Sequence, residues 1–140
     1  MTPTNTLRRP DTTRPITPRD HRSLARIFRA FHLVEALSDP TFDALKVLRG
    51  ARAFLMGYVL ESLAWEEGLL EPGSPESRRA RRRHAPLRRE IDAYGKQVWL
   101  YQTRGGPWRR SPEALMGLRD RIVRIQALLD DCARLDSAGV

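Results

Sequence analysis

The sequence predicts an all-α protein: a four-helix bundle preceded by a flexible basic arm over residues 1–16. Apolar residues recur at helical spacing, and no stretch alternates apolar and polar side chains as a strand does. At four places a capping side chain precedes a proline, which is typical of a helix start: Thr17-Pro18, Asp39-Pro40, Ser74-Pro75 and Ser111-Pro112. We expect helices over about residues 18–37, 40–67, 75–103 and 112–135, in one domain spanning 17–137.

The first predicted helix has an apolar face and a basic face. Its apolar side chains recur three or four positions apart from Leu24 to Val34. Four arginines share the opposite side: Arg19, Arg22, Arg26 and Arg29. They are either an ordinary solvent face or, if this helix neighbours the third, a secondary basic face for a ligand.

The second predicted helix is apolar nearly all round from Ala53 to Trp65, which predicts the central and most buried helix. Small residues at helical spacing share one side of it: Gly50, Ala53, Gly57 and Ala64. Such a side lets another helix approach closely. We therefore predict a helix-contact or oligomer face there.

The third predicted helix has two parts. Residues 75–85 carry almost no apolar side chains, so we expect this part to stand out from the bundle, with a kink or break near Pro86. From Leu87 to Tyr101, apolar residues spaced four and three apart predict a bundle seam. The fourth predicted helix repeats that spacing from Leu115 to Cys132, which places the single cysteine in the core.

The chain is strongly basic, with 25 basic and 17 acidic side chains and a formal net charge of +8. Residues 73–112 alone hold eleven basic side chains against three acidic ones. A surface of this kind attracts polyanions. The predicted nucleic-acid-binding residues are Arg78, Arg79, Arg81, Arg82, Arg83, Arg88, Arg89, Trp108, Arg109 and Arg110. In the alternative interpretation the arginine run is a solvated linker, and Trp108 packs over the end of the bundle.

The sequence offers no catalytic motif, so we expect a protein that is not an enzyme and has no cofactor. His21, His32 and His84 are scattered among arginines that would repel a cation, which predicts no metal site. The carboxylates near the end of the second predicted helix are expected to solvate its terminus: Glu61, Glu66, Glu67 and Glu71. With one cysteine, no signal peptide and no membrane-length apolar run, a soluble cytoplasmic protein is expected.

Part of the chain resembles a known family. The order of elements, the basic third segment and "LRDRIVRI" at Leu118 to Ile125 resemble the four-helix-bundle accessory variability determinant proteins of diversity-generating retroelements, which are relatives of the 23S rRNA intervening-sequence proteins. The resemblance covers residues 40–130 at most, and its best local part is Ile122, Arg124 and Ile125 after Leu118 and Asp120. It implies a basic homo-oligomer that binds nucleic acid and a reverse transcriptase.

These observations predict a non-enzymatic helical protein that binds RNA or DNA through the phosphate backbone without reading sequence, alone or as a subunit of a nucleoprotein or reverse-transcriptase complex. No helix in the sequence resembles a recognition helix with Asn or Gln side chains aimed at base edges. The alternative is a protein–protein interaction module, an adaptor or an inhibitor, whose basic surface docks on an acidic partner.

Overall fold

The computed structural model describes residues 19–104 and 111–138, and within these ranges the chain forms helices and turns with no β-strand. The predicted all-α class is therefore confirmed. The helices are α1 (His21–Ala30), α2 (Leu33–Ser38), α3 (Ala44–Phe54), α4 (Leu60–Gly68), α5 (Pro75–Arg104) and α6 (Pro112–Ala138). A π-helical turn, Leu55–Val59, joins α3 to α4 without a break. The predicted arm, residues 1–16, lies outside the described residues. None of the helices in the described ranges has both the length and the apolar character needed to span a membrane.

The first predicted helix is divided into α1 and α2 at His32. This residue has a left-handed backbone with φ of 51°, and its N–H donates to the Arg29 carbonyl oxygen at 3.0 Å, which closes α1. The turn redirects the chain, so that α1 lies against α6 while α2 lies between α3 and α6. Both short helices can then bury leucines, Leu24 on α1 and Leu33 and Leu37 on α2.

The helix that follows begins at Ala44, four residues later than the Asp39-Pro40 pair suggests. Asp43 provides its cap, because its carboxylate accepts the Lys46 N–H at 3.3 Å. Asp39 instead stabilises a turn by accepting the backbone N–H and the hydroxyl of Thr41 at 2.9 and 2.7 Å. A capping residue followed by proline therefore marks a turn here rather than a helix start.

The rod formed by α3, the π-helical turn and α4 buries one side only. Leu55, Val59 and Leu63 are fully buried and recur every four residues, whereas Met56 and Trp65 are 39 % and 54 % exposed. Residues four apart drift around the axis of an α-helix. The extra residue in the π-helical turn compensates for this drift and keeps the three side chains on one side. The helix predicted to be the central and most buried one therefore has an exposed apolar side.

The third predicted helix is a single helix, α5, that packs against α3, α4 and α6. Ala80 is 2 % exposed and His84 is fully buried, so residues 75–85 do not stand out from the other helices as predicted. Pro86 does not break α5. The proline leaves only the Arg82 carbonyl without its helical partner, and Arg82 is on the exposed side, where water can satisfy that oxygen.

The seams predicted for the last two helices are buried, except that Leu115, at the start of the second seam, is half-buried. Tyr94, at the centre of α5, is fully buried and donates its hydroxyl to the Leu48 carbonyl oxygen on α3 at 2.9 Å. On α6, Leu118 and Leu129 are at most 1 % exposed, and Cys132 is buried as predicted. Arg121 on α6 donates to Glu90 on α5 at 2.8 Å, which ties the two long helices together outside the seam.

Candidate functional site

The arginine-rich half of α5 is positioned by a seam of small and polar side chains. Ser77, Ala80 and His84 are at most 3 % exposed, and their spacing of three and four residues continues into Leu87. Ser74 caps the helix, since its Oγ accepts the Ser77 N–H at 3.0 Å. The seam fixes the rotation of the helix about its axis, and this rotation decides which arginines face solvent.

The predicted phosphate-binding arginines on α5 fall into two groups. Five are exposed, and we call these the exposed arginines: Arg78, Arg79, Arg81, Arg82 and Arg89. The other two, Arg83 and Arg88, are half-buried. On a regular helix, Arg78, Arg82 and Arg89 lie opposite the seam, in a row about 16 Å long. Rather than pointing in all directions, most of the positive charge therefore lies on one side of the helix.

The exposed arginines differ in how they are paired. Arg79 lies 3.8 Å from the Glu76 carboxylate, and Arg78 donates to the Gly73 carbonyl oxygen. Arg81, Arg82 and Arg89 form no hydrogen bond or ion pair with any residue that the structure describes. These three guanidinium groups are the ones whose charge is most open to a ligand.

The secondary basic face on α1 is exposed but partly engaged. Arg29 forms an ion pair with Asp130 on α6 at 2.5 Å, and the Arg19 guanidinium lies 5.8 Å from the centre of the Tyr58 ring. The His21 and His84 rings are in edge-to-face contact at 5.2 Å, so the start of α1 adjoins the arginine-rich part of α5. Arg22 and Arg26 are exposed on the same helix. The first and third predicted helices therefore touch at this point, through their buried sides.

Three of the predicted nucleic-acid-binding residues lie outside the described residues. Trp108, Arg109 and Arg110 fall between the two described ranges. The helices on either side of them, α5 and α6, are adjacent.

The small-residue face of the second predicted helix is uncovered. Gly50, Ala53 and Ala64 are exposed and Gly57 is half-buried, and a Cβ placed on Gly50 would meet no atom within 4 Å. Next to it lies a groove of about 400 Å³ between α3 and α5. The groove is lined by Arg52, Met56, Asp92, Gly95, Lys96, Trp99 and Leu100. The helices in the described ranges therefore do not use this face for their own packing.

The structure assembles a second site that the sequence does not predict. His21 on α1 and His84 on α5 both direct Nε2 at Glu66 on α4, at 3.2 and 3.5 Å from the same carboxylate oxygen. The histidine side chains are 2 % and 0 % exposed, and that of Glu66 is 36 % exposed. We call these three residues the histidine–glutamate cluster. They join three helices at one point.

A second layer of polar groups holds the cluster. The Glu67 carboxylate lies 2.6 Å from His84 Nδ1 and accepts from Arg88 at 2.9 Å. The ring nitrogens of His21 and His84 hold the pKa of Glu66 well below its ordinary range. Burial would raise the pKa of Glu67, but the hydrogen bonds from His84 and Arg88 outweigh it and lower that pKa. Both carboxylates are therefore ionised at neutral pH.

The cluster overturns two expectations. Glu66 and Glu67 do not solvate a helix terminus but contact buried side chains on other helices. His21 and His84, which are scattered in the sequence, meet in the interior. One signal pointed to this: His84 lies three residues before Leu87 in the seam spacing, at a position that should be buried. The third histidine, His32, is exposed and takes no part.

Comparison of the chain with protein-family models, with curated proteins and with solved structures finds no match.

Proposed function

We propose that the protein is a non-enzymatic nucleic-acid-binding protein whose helices form a four-helix bundle, and that the exposed arginines of α5 contact the phosphate backbone. The observation that carries this proposal is the set of Arg81, Arg82 and Arg89, which are exposed on one rigid helix and form no ion pair with the described residues. A helix fixed by its seam presents these charges without the ordering cost of a flexible tail. Backbone contacts of this kind bind RNA or DNA without selecting a sequence.

The proposed contact is smaller than the arginine count suggests. Arg88 is engaged with Glu67 inside the protein, and Arg79 has a partner in Glu76. For duplex DNA, three phosphate contacts give a logarithmic salt slope of roughly 3, and about 4.5 if Arg78 and Arg79 also contribute. Arg22 and Arg26 on α1 extend the same surface in this proposal. The cellular setting that we propose is the cytoplasm, where the protein acts alone or within a nucleoprotein complex.

The test is a fluorescence anisotropy titration with labelled single-stranded RNA, single-stranded DNA and duplex DNA at several salt concentrations. The variant carries Gln at Arg81, Arg82 and Arg89, because glutamine keeps helix propensity while removing charge. The control variant carries Gln at three other exposed arginines and loses the same net charge: Arg49, Arg104 and Arg134.

We expect the first variant to lower the salt slope by about 3 and the control to leave it within about 1 of the wild-type value. Circular dichroism checks that both variants stay helical. Equal losses in the two variants would mean that net charge, rather than the α5 surface, attracts the polyanion. Full binding by the first variant would remove α5 from the interface, and no binding by the wild type at physiological salt would refute the function.

The second candidate is a protein–protein interaction module that docks on an acidic partner. It is favoured by the uncovered small-residue face and by the adjacent groove, where Trp99 is 57 % exposed beside Met56 and Lys96. Light scattering tests whether this face joins copies of the chain. If the wild type is a stable oligomer and Ala53→Arg is a monomer, the small-residue face is an interface. A homo-oligomer of that kind would also support the proposed resemblance to the accessory variability determinant proteins.

A further inference from the structure

We propose that the histidine–glutamate cluster binds a divalent transition metal ion, and that zinc is the ion its ligands fit best. The ligand atoms are Nε2 of His21, Nε2 of His84 and a carboxylate oxygen of Glu66. This site is independent of the nucleic-acid-binding surface, since it lies on the buried side of α5.

The hydrogen bonding of His84 provides the first argument. The Glu67 carboxylate accepts from Arg88 with one oxygen, and its other oxygen lies 2.6 Å from His84 Nδ1, where Nδ1 is the donor. In the neutral ring, Nε2 then carries a lone pair and no hydrogen. This fully buried nitrogen forms no hydrogen bond with any described residue, yet it lies 3.5 Å from the Glu66 oxygen. In that tautomer two electron-rich atoms face each other, and a proton or a metal cation between them would stabilise both.

The distances provide the second argument. Zinc binds histidine nitrogen at about 2.0–2.1 Å and carboxylate oxygen at about 2.0–2.2 Å, so neighbouring ligand atoms of a tetrahedral site are about 3.3–3.5 Å apart. The two nitrogen–oxygen separations in the cluster are 3.2 and 3.5 Å. All three ligand atoms lie within 4.8 Å of one another.

The second layer is the arrangement that metal-binding histidines use. Such a histidine usually donates its other ring N–H to a carboxylate, which fixes the tautomer and the ring orientation. Glu67 does this for His84, and Arg88 in turn holds Glu67 at 2.9 Å. A hydrogen-bonded pair of side chains therefore keeps Nε2 of His84 pointed at Glu66.

The surrounding arginines do not prevent cation binding. With neutral imidazoles, the charges in direct contact are those of Glu66, Glu67 and Arg88, which sum to −1. Arg82 and Arg89 are exposed on the other side of α5. Arg81 flanks the seam beside Arg88, but it is also exposed, so water screens all three charges. The reason for expecting no metal, repulsion by the arginine run, therefore does not apply at this point.

The ligand types select the class of ion. Two imidazole nitrogens and one carboxylate suit zinc and other first-row transition ions, whereas magnesium and calcium prefer oxygen ligands. Three protein ligands are one fewer than a closed structural zinc site uses. Glu66 is 36 % exposed, so the open position adjoins solvent and can take a water molecule.

The test uses the full chain without a histidine tag, stripped with a chelator and titrated with Zn²⁺ by calorimetry and with Co²⁺ by visible absorbance. Glu66→Gln removes a ligand at a half-exposed position where folding should survive, and Glu61→Gln is its matched control on the same helix. His84→Asn removes a second ligand, and His32→Asn is its control because asparagine tolerates the left-handed backbone. Circular dichroism follows the folding of each variant.

We expect one Zn²⁺ per chain, a rise in Tm on zinc addition, and a loss of affinity of at least a hundredfold in Glu66→Gln and in His84→Asn. The two controls should bind as the wild type does, and Glu67→Gln should lose ten- to a hundredfold. The absence of stoichiometric zinc binding by the wild type would overturn the proposal. So would binding that survives in Glu66→Gln, binding that is lost in His32→Asn, or displacement of zinc by an equal concentration of Mg²⁺.

Discussion

Replacing Tyr94 with phenylalanine should give a stability change whose size depends on pH. The Tyr94 hydroxyl donates to the Leu48 carbonyl oxygen at 2.9 Å, and the side chain is fully buried between α5 and α3. Phenylalanine keeps the packing and removes one hydrogen bond, which contributes about 1 kcal/mol net. We therefore expect Tyr94→Phe to lower the free energy of unfolding at pH 7 by about 1 kcal/mol, equivalent to roughly 4 °C in Tm.

At alkaline pH the stability advantage of the wild type over Tyr94→Phe disappears. Burial raises the pKa of Tyr94 far above its ordinary value of 10.0, so the folded protein keeps the proton that the unfolded chain releases. The contribution to stability from a raised pKa is complete below the unfolded pKa and is lost as pH rises above it. At pH 11 the wild type therefore loses about 1.4 kcal/mol that the variant retains.

The assay is urea denaturation of both proteins at pH 7 and pH 11, followed by circular dichroism at 222 nm, a standard wavelength for helix. We expect the wild type to be the more stable protein at pH 7 and the two to be about equal, or the variant slightly more stable, at pH 11. A difference that is the same at both pH values would mean that Tyr94 ionises in the folded state. In that case the inferred burial of the hydroxyl between α5 and α3 would be refuted.

Two further predictions test the packing of α5 and the backbone conformation at two glycines. Ala80→Gln should lower the free energy of unfolding by about 2–4 kcal/mol in urea denaturation, because Ala80 is 2 % exposed, whereas Ala53→Gln at an exposed helical position should change it by less than about 0.5 kcal/mol. Equal effects would mean that residues 75–85 do not pack as described. Gly73→Ala should lower Tm, at a cost of about 1–2 kcal/mol, because Gly73 has φ of 79°, whereas Gly50→Ala should raise Tm by stabilising α3 by about 0.5–1 kcal/mol. Thermal unfolding that gives both changes the same sign would contradict this assignment.

The sequence predicts the helices that have a regular apolar spacing. Leu87 to Tyr101 and Leu118 to Cys132 are buried along α5 and α6 because a spacing of three and four residues leaves one face to bury whatever the partner is. Extending the same spacing from Leu87 towards the N-terminus, through His84 and Ala80, also predicts which side of the arginine run is exposed. The error was to treat a segment with few apolar side chains as a segment without a buried face.

Other features depend on contacts between distant parts of the chain. No glycine or proline marks the end of α1, since His32 takes a left-handed backbone that histidine rarely adopts. The burial of only one side of α3 and α4 could not be read from a stretch that is apolar all round, because such a stretch does not say which side has a partner. The groove beside Trp99 likewise exists only because α5 lies next to α3.

The sequence by itself determined the helical class, the seams of the two long helices and the strong positive charge, because spacing and composition are local properties of the chain. Only the tertiary structure decided which charges are paired and which polar groups meet. Arg88 is engaged by Glu67, whereas Arg81 and Arg82 face solvent, although all three belong to one basic run. His21, Glu66 and His84 come from three helices, and they converge because the packing of apolar faces fixes how those helices are rotated and where they cross.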